Sequence, residues 1–191
     1  MYREKSMRYF LGFLIALGLL ALVIILVVKG FSNNKTLGPQ PKPLSSYSDT
    51  DAVAGLLISG PIVADQNFKQ VQINISQVSS QINIINGYQG TVLNTKIFEN
   101  NPSAYSAFLS ALQGSGFNLG NSSYKYKTPV GFCSFGDSYT YTFINGDDTI
   151  IDYWATSCGG QGNFKGSVGY VNQLFESQIP DFSTIINDTS L

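Results

Sequence analysis

The side chains that most enzymes use for proton transfer or nucleophilic attack are scarce in this 191-residue chain, which has no histidine and only two cysteines, Cys133 and Cys158. Without histidine, Ser-His-Asp and Cys-His catalysis and most catalytic zinc sites are excluded. Ser122-Ser123-Tyr124-Lys125 fits the S-x-x-K pattern of a lysine-activated serine, but Lys127-Thr128 runs into Pro129 rather than completing K-T-G. Paired carboxylates can run glycoside hydrolysis, yet Asp147 and Asp148 follow the turn signal Asn145-Gly146, where solvated aspartate is ordinary. Asn145, Asp147, Asp148 and Asp152 could gather loosely around calcium but lack the ligand spacing of an EF-hand loop. The glycine-rich run Gly159–Gly166, with Lys165, could offer amides and a cation to an anion. It matches neither the P-loop nor the dinucleotide-binding pattern. These patterns predict no catalytic constellation, no metal site and no cofactor.

Two features remain. The aromatic set Tyr139, Tyr141, Phe143, Tyr153 and Trp154 could present a binding face to a peptide or glycan, with Lys165 nearby in sequence. Strand alternation puts Tyr139, Tyr141 and Phe143 on one side, so at least one aromatic row is expected to pack as core against a helix. The cysteines read as a disulfide, since a zinc site normally wants four Cys or His ligands. A two-residue Asn145-Gly146 turn would place Cys133 opposite Cys158 at a non-hydrogen-bonded position, where facing side chains are closest.

The elements that must carry these residues read as follows. Phe68–Ile85 fits both a helical stripe and two short strands; its Ile, Val, Asn and Ser content favours strands broken by a polar turn at Gln77–Ser80. Thr91–Phe98 and Tyr124–Pro129 read as further strands. Asn101 is a helix cap followed by Pro102, with Tyr105, Phe108, Leu109 and Leu112 on one stripe and Gly114 as the stop. Tyr139–Ile144 and Thr149–Thr156 form a hairpin around Asn145-Gly146. A last helix is expected over Ser167–Gln178, ended by Pro180. The sum is an α+β domain, residues 51–182, an antiparallel sheet with two helices packed on it and one disulfide, followed by a tail, 183–191.

Ahead of the domain, Tyr9–Val28 is twenty residues without a charge, long enough at about 1.5 Å per residue to span the bilayer's hydrocarbon core. A cleaved signal peptide would have a shorter apolar run and a small-residue cleavage site. Arg3, Lys5 and Arg8 before the span nearly tie with Lys29, Lys35 and Lys42 after it. The first three, however, are packed into eight residues, the chain after residue 42 is poor in Lys and Arg, and the cysteine pair suits an oxidising exterior, so residues 1–8 are expected as a cytoplasmic tail. A single-pass plasma-membrane anchor is therefore expected, with the C-terminal domain extracytoplasmic. Residues 29–50, with prolines at 39, 41 and 43, read as a linker whose ends would average about 26 Å apart as a coil. From residue 43 on, five lysines stand against eleven acidic residues, a net charge of −6. That charge disfavours nucleic acid as a partner.

Gly87-Tyr88-Gln89-Gly90 leading to Asn100-Asn101 and the Ala104–Leu112 helix is one landmark of the chain. Trp154…Cys158-Gly159 with Gly162…Phe164…Gly166 and Gln178–Phe182 is another. Together they resemble membrane-anchored extracytoplasmic proteins of small-genome bacteria such as the Saccharibacteria. The resemblance implies a bacterial surface protein and carries over no activity and no catalytic residue. The expected function is a non-catalytic domain that binds an envelope protein, peptide or glycan, or joins an envelope assembly. The alternatives are a carboxylate-dependent hydrolase and a pilin-like or structural envelope component.

Overall fold

The computed structural model describes Gly18 and residues 42–187. The expected tail 1–8, linker residues 29–41 and final residues 188–191 lie outside the described residues, as does all of the expected span 9–28 except Gly18. Among the described residues no helix is long and apolar enough to cross a membrane.

Six antiparallel strands form one sheet: β1 (Val53–Ser59), β2 (Lys69–Ile75), β3 (Ser79–Asn86), β4 (Thr91–Glu99), β5 (Ser138–Asn145) and β6 (Asp148–Thr156), in the order β4-β3-β2-β1-β5-β6. The helices are α1 (Pro102–Gly114), α2 (Val168–Glu176) and α3 (Phe182–Asn187). The first four strands run as a meander, and after α1 the chain returns to add β5 on the free side of β1. β1 thus becomes a central strand, and its Ala54-Gly55-Leu56 run is buried.

Alternation dictates the two faces of the sheet. Leu56, Ile73, Ile82 and Tyr141 are cross-strand neighbours by register and share the covered face. They are buried with Tyr105, Phe108, Leu109 and Leu112 of α1 and with Val171 and Phe175 of α2. The opposite face carries Gln72, Asn83 and Thr95 in register, joined by hydrogen bonds of 3.0 Å and 2.9 Å through Asn83. Gly55 is on this side because a Cβ there would collide with the Thr142 hydroxyl.

The α+β class, the antiparallel sheet and the Cys133–Cys158 disulfide are present, and Asn101 caps α1 by accepting from the Ala104 amide at 3.0 Å. The strand pair within 68–85 forms, turning at Ser76–Val78 where the Ser76 hydroxyl accepts from the Ser79 amide.

Several expectations change. Within residues 42–187 three helices replace two, because α3 occupies part of the expected tail and buries Ile185. β1 was not expected at all. No strand forms at 124–129. Its Tyr124 and Tyr126 pack on Trp154 and Phe132 instead of joining a ladder. The ordered domain starts earlier than residue 51: Leu44–Tyr47 form a 3₁₀ turn with Leu44 buried, and the Leu44 amide donates to Gln113 Oε1 at 2.7 Å. The hairpin register also differs. Asn145 pairs with Asp148, so the turn residues are Gly146-Asp147, and a bulge follows between Phe143 and Ile144. Cys133 reaches Cys158, Cα to Cα 5.6 Å, from a loop that precedes β5 rather than from an extension of the strand. Cys133 itself holds a left-handed φ of 53°.

Candidate functional site

The five residues expected to offer a binding surface do not converge. Tyr141 and Trp154 are buried, and they lie on opposite faces of the sheet. Tyr141 packs between Phe117 and Phe164, and its hydroxyl donates to Asn172 Oδ1 at 2.7 Å. Burial pushes its ionisation far above the ordinary tyrosine range. Trp154 anchors a separate aromatic cluster with Tyr124 and Phe132, and its indole N–H donates to the Tyr126 carbonyl at 3.0 Å. Neither ring has a face to give a ligand.

Tyr153 is half-buried over Gly120, where a Cβ would strike its ring. Lys165 is exposed, but its amide donates to the Leu119 carbonyl at 2.9 Å. The glycine-rich run lies along the outside of β6: the Phe164 amide donates to the Trp154 carbonyl at 3.1 Å, and Asn163 Oδ1 accepts from the Trp154 amide at 2.6 Å. These backbone groups and the Asn163 side chain are spent on the fold rather than on an anion. The S-x-x-K pattern does not assemble either. Lys125 Nζ lies 5.2 Å from the Tyr126 ring centre, and Lys127 Nζ donates to the Ser122 carbonyl. Among the described residues no three His, Cys, Asp or Glu side chains come together as a metal site.

Tyr139 lines a cleft. A cavity of about 470 Å³ opens on the helix-covered side, at the end of the sheet where β1 gives way to the 60–68 loop. Its walls are mostly apolar: Ile58 and Val71 from the strands, Pro61 and Val63 from the loop, Phe182 and Ile186 from α3. The polar groups are Asn67, Lys69, Asp137, Tyr139, Asn172 and Glu176.

Two elements place four of the polar groups. Asp137 precedes β5, and its amide is fixed by the Ser157 hydroxyl at 2.9 Å. Tyr139 follows two residues later on the same face. Burial raises its pKa first, and then the charge of Asp137 and a hydrogen bond to it, with Glu176 adding a smaller effect. Asn172 and Glu176 are one turn apart on α2, an i, i+4 pair that shares a helix face. Asn172 accepts from Tyr141 at the back of the cleft. Burial raises Glu176 above the usual glutamate range. The result is an apolar slot with two carboxyl groups, a tyrosine and a side-chain amide set against one lysine.

Asp137, Asn172 and Glu176 were not singled out in the sequence. The available signal was the Asn172/Glu176 spacing beside the buried stripe of Val171 and Phe175. Compared with known proteins, the chain matches no protein-family model and no curated protein.

Proposed function

We propose that this protein is a membrane-anchored, extracytoplasmic, non-catalytic binding domain that holds part of an envelope peptide or a similar amphipathic ligand in the cleft beside Tyr139. The observation that carries this reading is the cleft's composition. Mostly apolar walls with a few convergent polar groups are the usual form of a small-ligand site. Two carboxyl groups against one lysine favour an apolar group that bears a cation or a hydrogen-bond donor. The anchor reading draws on the apolar run 9–28 and the disulfide, which suits an oxidising compartment.

The test is a titration of the full chain with short peptides pairing Leu or Phe with Lys, against the same peptides carrying Glu. The lysine peptides should bind more tightly, and Glu176→Gln should erase most of that preference. Equal affinity for both sets, or a preference untouched by Glu176→Gln, would overturn the assignment.

One observation favours a second reading. A glutamate whose pKa is raised by burial shares its cleft with Asp137, the pairing that acid-base hydrolysis uses. Turnover of a glycan or peptide by the full chain, abolished by Glu176→Gln, would replace binding with hydrolysis.

A further inference from the structure

At the same end of the sheet, but on its amide-bearing face, the disulfide loop ends in an apolar tip. Phe135 is 98% and Val130 82% exposed, and Ile62 stands beside them, its amide donating to the Ser134 carbonyl at 2.9 Å. Scattered exposed apolar side chains are ordinary, but these stand on neighbouring loops. The loop is also held firmly. Cys133 is tied to Cys158, Phe132 lies 5.1 Å from the Trp154 ring, and Tyr126 packs on Phe132 at 5.0 Å.

Charge separates this loop from the rest of the domain. Residues 119–136 contain Lys125 and Lys127 and no acid, a charge of +2. The remainder of 43–191 has three lysines and eleven acids, a charge of −8. Lys125 and Lys127 flank Tyr126, so cations and an amphipathic ring stand around the apolar tip. The nearest acids in sequence and contact are engaged: Asp65 accepts from the Tyr88 amide at 2.7 Å, and Asp137 faces Tyr139 in the cleft.

From these observations we infer that the 129–136 tip, with Lys125 and Lys127 around it, docks the domain onto a lipid bilayer carrying anionic head groups. Phenylalanine and valine enter the acyl boundary while lysine and tyrosine stay at head-group level. Chain length permits this to be the protein's own membrane. The domain begins at Lys42, near the start of β1, where Tyr47 meets Phe143 at 5.4 Å. The tip lies past the far end of β1, about 20 Å along the strand direction. Residues 29–41 can reach about 45 Å when extended, more than enough to let the domain turn its far end to the bilayer. This inference is independent of the cleft.

The experiment places the full chain in nanodiscs of neutral phosphatidylcholine and sediments them with sucrose-loaded acceptor vesicles. The vesicles contain either phosphatidylcholine alone or phosphatidylcholine with phosphatidylglycerol. Cosedimentation should require the anionic lipid. Phe135→Ser should weaken it about tenfold, and Lys125→Gln with Lys127→Gln by about twentyfold at low salt. Lys96→Gln, the loss of one lysine on a distant strand, should leave it unchanged, and all variants should unfold at the parent temperature. No cosedimentation, equal cosedimentation with neutral vesicles, or binding indifferent to Phe135→Ser would overturn the inference and leave the tip as a surface for a protein.

Discussion

The two edge strands of the sheet solve the same problem differently. An edge offers a row of unpaired amides and carbonyls to any passing strand. β6 is covered at its C-terminal end: the Trp154 amide and carbonyl are both bonded to the 163–164 segment, and Ala155 bridges Gly162. β4 is uncovered, and every residue but Phe98 is exposed. Its protection is local, a register shift that leaves Leu93 unpaired and Lys96 standing on the apolar side of the sheet opposite Ile82. Bulges and inward charges of this kind deter edge-to-edge pairing. The comparison teaches that the covered edge depends on a particular loop conformation, whereas the bare edge depends on one charge and one misfit.

Breaking the cover should have the largest effect. Gly162 holds φ 122°, and a Cβ there would meet the Trp154 carbonyl oxygen. Gly162→Ala should cost about 3 kcal/mol or more in denaturant unfolding. The same change should speed tryptic cleavage at Lys165. Removing the bond behind that cover comes next: Cys133→Ser with Cys158→Ser opens a loop of separation 25 and should cost about 3 kcal/mol. If the double variant unfolds at the parent's denaturant midpoint, the loop is held by its aromatic contacts alone.

The bare edge should respond in association rather than stability. Lys96→Val should leave the unfolding midpoint near the parent's and increase concentration-dependent self-association in sedimentation velocity. Unchanged association would mean that the bulge at Leu93 suffices. The smallest effect concerns neither edge and serves as a reference. Because burial raises Glu176 in the folded state, the folded protein holds that proton to higher pH than the unfolded chain does. Stability should therefore fall as pH rises just above the ordinary carboxylate range. Glu176→Gln should flatten that part of the pH profile, and an unaltered profile would show that the carboxyl is better solvated than its position implies.

Much of the architecture was legible because local signals agreed with the tertiary result. Asn101-Pro102 with the Tyr105–Leu112 stripe is capping and periodicity together, and the strands within 68–85 follow β-branched content. β1 escaped because its apolar run Ala54-Gly55-Leu56-Leu57-Ile58, buried at 54–56 and half-buried beyond, shows no polar alternation. The 124–129 segment misled for the opposite reason: its alternating tyrosines are real, but they serve a ring cluster under Trp154. The disulfide was readable although the assumed register was not, since the loop before β5 bends by its own route. The cleft was least legible. Asp137, Tyr139, Asn172 and Glu176 come from two distant elements, and nothing in the local sequence distinguishes an acid facing a cleft from one facing water.

The aromatic cluster beneath the disulfide loop has a practical consequence. Trp154 is the chain's sole indole, and it sits on the side of the sheet away from the helices. Its emission, excited where tyrosine and phenylalanine do not absorb, therefore reports on the ring cluster it forms with Tyr124 and Phe132 without any label. Unfolding followed that way is read from the open side of the sheet, not from the helix-covered core, whose buried chromophores are tyrosines and phenylalanines.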